Sequence, residues 1–369
     1  MSRKPCTSSK TVNGDDLAVD IVVPVWNRPV ETRNCLVGLI DYSSSARLIL
    51  VDNGSDRETE IMLQEFADGL GERALLLRND VNQGYVKAVN QGLARSNAPY
   101  AAVIRNTTEV TAGWLEPLLS LALERSDAGL VIPYLYEVGN KQRGRKAGAV
   151  VEGVSVGTFA AMLLNKRMYD KIGGFDEELD GGGWCLRDYS RRAYQSGFLS
   201  YAVADSSVWF RPEIRLGSLT RREETDRRSA EVCASRWGKE GAFCLYFPKA
   251  VELPIVEEKL RLLMTGACHG HRFHLLLPGP VYRQLLRRPG TYGHSNISLE
   301  ALPLWNSARG AEKAFSRFQQ EMPAALPVSA IDGMPFPGNL KNIYFAELDR
   351  LISEAERSIY GRTASLTEG

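Results

Sequence analysis

The stretch VDIVVPVWNRPVETRNCLVGL, residues 19–39, shows how the chain begins its fold. Its first seven residues are rich in β-branched side chains, which predicts a buried strand. Polar residues follow at Asn27 and Arg28, and Pro29 stands where the first turn of a helix favours proline. The stretch therefore predicts a buried strand, a polar turn and a helix, in that order.

The same order recurs further along the chain. More strands are predicted at residues 46–52, 74–79, 100–105 and 128–134. Helices are predicted between them, from residue 56, over 83–94 and over 114–125. This alternation predicts an α/β fold with a mixed, mostly parallel sheet flanked by helices. Because such sheets bind ligands at the carboxyl ends of their strands, the polar residues after each strand form the candidate site.

Composition narrows the classes of function. Among 369 residues, 45 Lys and Arg balance 44 Asp and Glu, so no basic footprint for nucleic acid is present. No apolar run approaches the roughly 18–20 residues that cross a bilayer. The six cysteines are scattered, which predicts reduced thiols and a cytoplasmic location. The basic stretch 282–288 leaves open a peripheral contact with a membrane.

The pattern of apolar and polar residues divides the chain into three parts. Residues 1–18 are polar and predict a flexible leader. Residues 19–248 hold the strand and helix alternation and predict one domain, with its boundary near 245–255. Residues 249–369 contain amphipathic stretches and several prolines, and predict a mainly helical extension of unknown role.

Each of the first three strands ends in a polar group with a possible role. Trp26 can stack on a nucleobase, and Asp52 can accept a hydrogen bond from a base N–H. Gly54 permits a tight turn and the close approach of backbone to a ligand. The third strand is followed by NQGYVKAVNQG, residues 82–92. The alternative for these residues is a set of ordinary turns and helix caps.

These segments together resemble the inverting family-two glycosyltransferases with the GT-A fold, in particular rhamnosyltransferase-like members. The resemblance continues through GWLEPLL (113–119), GGFDEEL (173–179) and LRDYSRRAYQSGF (186–198), and covers about residues 19–240. It implies that a UDP- or dTDP-sugar donor is bound by residues near the strand ends: Pro24, Trp26, Asn27, Asp52, Gly84, Asn90, Arg105, Asn106 and Thr107. It implies a role in polysaccharide biosynthesis, with a saccharide, a lipid-linked sugar or a protein as acceptor.

The fourth strand departs from the family pattern. Family members have a frame such as L-N-N-D-T-E-V, whose Asp binds Mg²⁺ or Mn²⁺ with the diphosphate. Here the frame reads IRNTTEV, residues 104–110, and Thr107 replaces the Asp. A second metal-associated position, usually His, falls on Phe210. A hydroxyl is a poor substitute for a carboxylate as a ligand of these cations.

Three explanations for this departure stay open. Arg105 could neutralise the diphosphate in place of a metal ion. Glu109 or Asn106 could hold a metal in an altered geometry. The domain could instead bind a nucleotide, or serve as a scaffold, without catalysis.

The acceptor side resembles the family more closely. Asp188 takes the place of the catalytic base, although Arg187 replaces the Glu that often precedes it. The resemblance implies that Asp188 accepts the proton of the acceptor hydroxyl, and that Gly182, Gly183, Trp184 and Arg187 line the acceptor site. The alternative for Asp188 is an acidic residue that stabilises the first turn of a helix.

Overall fold

The computed structural model describes residues 19–138, 151–180, 183–211, 218–288, 293–338 and 340–354. The predicted leader 1–18 and the acceptor-side residue Gly182 lie outside these ranges. Within them, no helix combines the length and the apolar character needed to cross a bilayer.

The first unit alternates strands and helices from residue 19 to residue 237. Its strands are β1 (Val19–Val25), β2 (Arg47–Asn53), β3 (Ala74–Asn79), β4 (Tyr100–Ile104), β5 (Thr108–Val110), β6 (Ala128–Glu137), β7 (Val151–Gly153), β8 (Ala161–Asn165) and β9 (Leu199–Phe210). Its helices are α1 (Pro29–Tyr42), α2 (Arg57–Leu70), α3 (Tyr85–Leu93), α4 (Glu116–Glu124), α5 (Lys166–Ile172), α6 (Trp184–Gln195) and α7 (Leu219–Trp237).

The strands of this unit form one mixed sheet. Their order is β3-β2-β1-β4-β8-β6-β9-β5, with β7 paired to β9. β1, β2, β3 and β4 run parallel, and β8 is antiparallel to both of its neighbours. The α/β prediction of a sheet flanked by helices is confirmed. The carboxyl ends of β1, β2 and β4 therefore meet at one edge of the sheet.

Side chains on the two faces of the sheet form two cores. Ile21 and Val23 pack with α1, α2 and α4 on one face, whereas Val22 packs with α3, α5 and α6 on the other. This division follows from the period of two along a strand. All seven residues of β1 are buried, as expected for a central strand covered on both faces.

The second unit differs from the predicted extension. It contains α8 (Leu253–Cys268), α9 (Gly279–Leu286) and α10 (Ser307–Glu321). Its strands are β10 (Ala242–Tyr246), β11 (Arg272–Pro278), β12 (Ile297–Leu302), β13 (Leu326–Ser329) and β14 (Ile343–Tyr344). These strands form a parallel five-stranded sheet in the order β12-β11-β10-β13-β14.

The prediction of a mainly helical extension was therefore wrong about its architecture, which is a second α/β unit. The strands are short and covered on both faces by two further cores, so their sequences lack the alternation that identifies a half-buried strand. The predicted boundary at 248 also falls too late, because β10 already belongs to the second sheet.

Several contacts join the two units. Gly153 N donates to Gly293 O at 2.7 Å and Ser295 N donates to Gly153 O at 2.8 Å, which links β7 to the segment before β12. On the side of α6, the buried guanidinium of Arg191 pairs with Glu240 at 2.7 Å. The second unit is thus attached to the first at both β7 and α6.

Two helical glycines test the packing of the first unit. A Cβ atom on Gly92 of α3 would lie 2.3 Å from Val22 Cγ1 and 3.2 Å from Val51 Cγ2, whereas a Cβ on Gly69 of α2 would meet nothing within 4 Å. We expect Gly92→Ala to lower the free energy of unfolding by about 1–3 kcal/mol through overpacking. Gly69→Ala should raise it by up to about 1 kcal/mol through helix propensity. Urea denaturation measures both, and equal effects would contradict the packing of α3 on the sheet.

Candidate functional site

The end of β1 is tied to the end of β2 through Asn27. Asn27 N donates to Ser55 Oγ at 2.9 Å, and Asp56 N donates to Asn27 Oδ1 at 2.7 Å. Asn27 and Arg28 both have left-handed backbones, with φ of 57° and 60°. Non-glycine residues in this conformation carry strain and occur often at functional sites. The turn after β1 is therefore held in one conformation by the loop after β2.

The end of β4 is tied to the same turn. Asn106 Nδ2 donates to Thr32 Oγ1 at 2.9 Å, and Thr32 Oγ1 donates to Asn27 O at 3.3 Å. Asn106 is buried, so its amide supports the turn after β1 and is not directed at a ligand. The carboxyl ends of β1, β2 and β4 thus lie together, as predicted, and the contacts between them position the backbone.

Trp26 is the predicted base-stacking residue, and its position agrees with that role. It directly follows β1 and is 41% exposed at the edge where the three strands end. Pro24, in contrast, is buried inside β1 opposite Val51 and does not reach the surface of the site. Of the two, only Trp26 presents a side chain to a ligand.

Asp52 differs from the prediction. The residue is 1% exposed, and its carboxylate accepts a hydrogen bond from Ser55 N at 3.0 Å and pairs with Arg78 Nε at 3.4 Å. An oxygen that is buried in this way holds the β2 loop and does not reach a base. Arg78, opposite Asp52 on β3, is partly exposed and also pairs with Glu60. Arg78 was not among the residues predicted for the site, although it lies near the end of β3, where ligand-binding residues are expected.

An amide network orders the loop between β3 and α3. Asn53 Nδ2 donates to Asn82 Oδ1 at 2.9 Å and to Gly84 O at 3.1 Å, while Asn53 Oδ1 accepts from Gln83 N. Gly84 has a φ of 97°, and a Cβ there would lie 2.9 Å from Asp180 Oδ2. Glycine is required at this position by both its backbone and its neighbour.

Asn90 was predicted to face the site, but its side chain is bonded to the backbone of Phe175 instead. Its Nδ2 donates to Phe175 O at 2.8 Å, and its Oδ1 accepts from Phe175 N at 2.9 Å. A Cβ on Gly174 would lie 2.6 Å from Asn90 Oδ1, so the glycine leaves room for this contact. Asn90 therefore anchors the segment that leads to α6.

Arg105 lies at the ligand edge of the sheet, immediately after β4. Its guanidinium carbon is 4.7 Å from the ring centroid of Tyr85, the first residue of α3. A cation over an aromatic face is stabilised by the ring quadrupole and held in a fixed orientation. The structure thus places a positive charge between the end of β4 and the beginning of α3.

The residues near Arg105 do not fit a Mg²⁺ or Mn²⁺ site. Thr107 is buried, and its hydroxyl has no hydrogen-bond partner among the described residues. Glu109 pairs with Arg211 at 3.4 Å, and Phe210 pairs with Thr108 across β5 and β9. No group of three His, Cys, Asp or Glu side chains suited to a metal occurs in the described ranges. Hard divalent cations need several oxygen ligands, which these residues do not supply.

Asp188 occupies a buried ionic cluster, which contradicts its predicted exposure to an acceptor. It is 1% exposed. Its Oδ2 accepts from Arg192 Nε at 2.8 Å, and its Oδ1 accepts from Trp237 Nε1 at 2.9 Å and Arg236 Nη1 at 3.3 Å. Both oxygens are engaged, so the carboxylate fixes α7 against α6 and is not placed to take a proton from an acceptor.

The remaining acceptor-side residues lie at the start of α6. Gly183 precedes this helix with a φ of 79°, and Trp184 Nε1 donates to Asp226 of α7 at 2.9 Å. Arg187 lies 4.8 Å from the Trp184 ring centroid and pairs with Glu240 at 2.6 Å. These side chains stand together, and they connect α6 to α7 and to the second unit.

The described residues of the second sheet offer no equivalent site at the corresponding place. Its strand order has a switch point between β10 and β13, where doubly wound sheets bind ligands. Phe336 is buried beside this point, with its ring 5.9 Å from Tyr246 and 5.6 Å from Phe315. An aromatic side chain thus fills the region, and the candidate site remains the carboxyl edge of the first sheet.

The first unit has the fold of the GT-A glycosyltransferases. The crystal structure of GalNAc-T7 with UDP, GalNAc and Mn²⁺ has the same fold, with a TM-score of 0.50 at 15% identity over 60% of this chain and 49% of that chain. Residues 20–186 match the model of Glycosyl transferase family 2.

Two proteins of known sequence are similar to part of this chain. Polypeptide N-acetylgalactosaminyltransferase 13 of Homo sapiens is 22% identical over 204 residues, which are 47% of this chain and 36% of that protein. Glycosyltransferase AglE of Haloferax volcanii is 22% identical over 218 residues, which are 56% of this chain and 70% of that protein. The chain therefore spans about a third of the human relative.

The structural role of Asp188 predicts the effect of removing its charge. Asp188→Asn would leave Arg192 and Arg236 without their buried partner, and we expect the free energy of unfolding to fall by about 2–3 kcal/mol. Asp170→Asn, which removes an exposed carboxylate paired with Lys166, should change it by about 0.5 kcal/mol or less. Urea denaturation measures the free energy of unfolding of both variants. An Asp188→Asn protein of unchanged stability that no longer transfers a sugar would restore Asp188 as the base.

Proposed function

We propose that the first unit binds a UDP- or dTDP-sugar at the carboxyl edge of its sheet and transfers the sugar to an acceptor hydroxyl with inversion. The observation that carries this proposal is the exposure of Trp26 at the point where β1, β2 and β4 end, beside the loop that contains Gly54. An exposed aromatic ring next to a glycine-containing turn suits a planar base and its ribose.

Arg105 would neutralise the diphosphate of this donor. The leaving group carries negative charge as the bond to the sugar breaks, and a guanidinium can bind its oxygens with two parallel hydrogen bonds. The contact with Tyr85 holds Arg105 close to the first turn of α3, and the positive end of that helix's dipole also favours phosphate. These two sources of positive charge support a metal-independent transfer.

The acceptor would approach from the side of α6. Trp184 and Arg187 lie at the start of this helix and provide an aromatic surface and a cation. A saccharide, a lipid-linked sugar and a protein all present a hydroxyl that this surface could orient. The relatives include a protein named as a polypeptide transferase, which supports a protein among these acceptors.

A second candidate is a nucleotide-binding or scaffold protein without catalysis. The burial of Asp188 favours it, because the residue implied to be the base does not reach the surface. The two candidates share the donor site and differ only in the release of nucleoside diphosphate from a sugar donor. Measuring that release with UDP- and dTDP-hexoses separates them.

Stacking on Trp26 can be tested by binding. We expect Trp26→Ala to weaken binding of UDP or dTDP by about 5–100-fold, the loss typical of one base–aromatic contact. Trp305→Ala removes an even more exposed tryptophan from the second unit and should leave binding unchanged. Isothermal titration calorimetry gives both dissociation constants. Equal binding by the wild type and the Trp26 variant would rule out this base site.

The role of Arg105 predicts binding that survives chelation. UDP or dTDP should bind equally in EDTA and in Mn²⁺, and Arg105→Ala should weaken binding by about 10–100-fold, as expected for a lost charge-assisted hydrogen bond. Arg125 is a matched control, because its guanidinium also lies 4.7 Å from a tyrosine ring but follows α4, away from the site. Arg125→Ala should leave binding unchanged. A strict requirement for Mn²⁺ would contradict the metal-free site.

A further inference from the structure

Two adjacent apolar side chains protrude from the second unit. Leu304 and Trp305 are 73% and 88% exposed, more than any other large hydrophobic residue among those that the structure describes. They lie between the end of β12 and the start of α10, at the carboxyl edge of the second sheet. Single exposed hydrophobic residues are ordinary on a protein surface. Two neighbours exposed to this degree form an apolar projection, which we call the Leu-Trp tip (Leu304 and Trp305).

Contacts on both sides hold the backbone of the Leu-Trp tip. Before it, Pro303 packs on α10, where a Cβ on Gly310 would lie 2.6 Å from the proline ring. Lys249 Nζ donates to Leu304 O at 2.9 Å, which ties the tip to the loop after β10. After it, Asn306 has a left-handed backbone with a φ of 57°, and its side chain caps α10. The backbone is therefore fixed while the two apolar side chains extend into solvent.

Basic side chains lie around the Leu-Trp tip. Lys249 contacts its backbone directly, and Arg309 belongs to the first turn of α10. The carboxyl ends of β11 and β12 are paired, so α9 begins next to the tip. Arg283 of α9 reaches back to that beginning, because its Nη1 would lie 3.6 Å from a Cβ on Gly279. Three cations thus come from the three segments that follow β10, β11 and β12.

The acidic residues of this edge do not cancel these cations. Glu257 of α8 pairs with Arg288 at 3.0 Å, and Glu252 lies just before that helix. Asp332 follows β13, on the other side of β10 from the tip. α8, α9 and α10 also begin at this edge, so the positive ends of three helix dipoles point in the same direction. The Leu-Trp tip therefore projects from a surface that favours negative charge.

An apolar projection within a positive surface matches the boundary of an anionic bilayer. Tryptophan is enriched at the depth of the headgroups, and apolar side chains at that boundary bury their area in the upper acyl chains. We propose that the Leu-Trp tip inserts into the interface of an anionic membrane, with Lys249, Arg283 and Arg309 against the headgroups. A saccharide would gain little from Leu304, and an apolar groove of a partner protein would gain nothing from the cations.

The experiment measures cosedimentation of the full chain with phosphatidylcholine vesicles and with mixed vesicles of phosphatidylcholine and phosphatidylglycerol. We expect binding to the mixed vesicles that weakens as salt is added, and weaker binding to the neutral ones. Leu304→Ser and Trp305→Ala should each weaken binding by about 10-fold or more, as expected when one large apolar side chain is no longer buried. Binding should also shift the tryptophan fluorescence to the blue in the wild type, and this shift should be lost in Trp305→Ala.

Two matched controls come from the opposite edge of the same sheet. Leu326 is 44% exposed at the start of β13, and Leu326→Ser should leave vesicle binding unchanged. Arg283→Gln should weaken binding to the mixed vesicles by about fivefold, the contribution expected of one cation near an anionic leaflet. Arg272→Gln, at the start of β11, should leave that binding unchanged.

The outcomes decide between a membrane and other occupants. Failure to bind either kind of vesicle, or equal binding by the wild type and the Trp305 variant, overturns the proposal. Sedimentation velocity gives a further test. A wild-type dimer that Trp305→Ala converts to a monomer, without vesicle binding by either, would overturn the membrane assignment in favour of a second copy of this chain. The assays contain no nucleotide or sugar, so their results do not depend on the proposed function.

Discussion

The hydrogen bonds around Asn27 are the constraint on which the site depends. They connect the turn after β1 to Ser55 and Asp56 on one side and, through Thr32, to Asn106 on the other. The left-handed backbone at Asn27 is strained when isolated, and these contacts are what can maintain it. Trp26 directly precedes Asn27, so the hydrogen bonds of Asn27 also determine the position of the exposed Trp26 ring.

Hydrogen bonding also separates the residues that stabilise the site from those whose side chains can contact a ligand. Asn106 and Asp52 lie near the strand ends and Asn90 lies in α3, and each uses its polar atoms on neighbouring protein groups. A polar side chain at the edge of a buried sheet needs such partners, because an unsatisfied polar group there is costly. Trp26, which is exposed, and the guanidinium of Arg105, which lies over the Tyr85 ring, are the groups that we propose for the base and the phosphate.

The sequence predicted the fold of the first unit well because its helices and strands have strong local signals. Pro29 begins α1, and Asp56 accepts from Thr59 N at the start of α2, both as the pattern predicted. It predicted the second sheet poorly, because short strands buried on both faces resemble segments of buried helix. Asp188 was misassigned for another reason. An acidic residue four positions before Arg192 fits both a base and a helical ion pair, and only coordinates show which partners surround it.

The position of the second unit bears on the acceptor side of the first. Arg191 is buried beneath Glu240, and burial lowers the pKa of its guanidinium while Glu240 opposes that shift. Glu240 also pairs with Arg187, so one carboxylate from the segment before β10 holds two turns of α6. Since Trp184 and Arg187 lie at the start of α6, the second unit fixes the orientation of the two side chains that we propose for the acceptor.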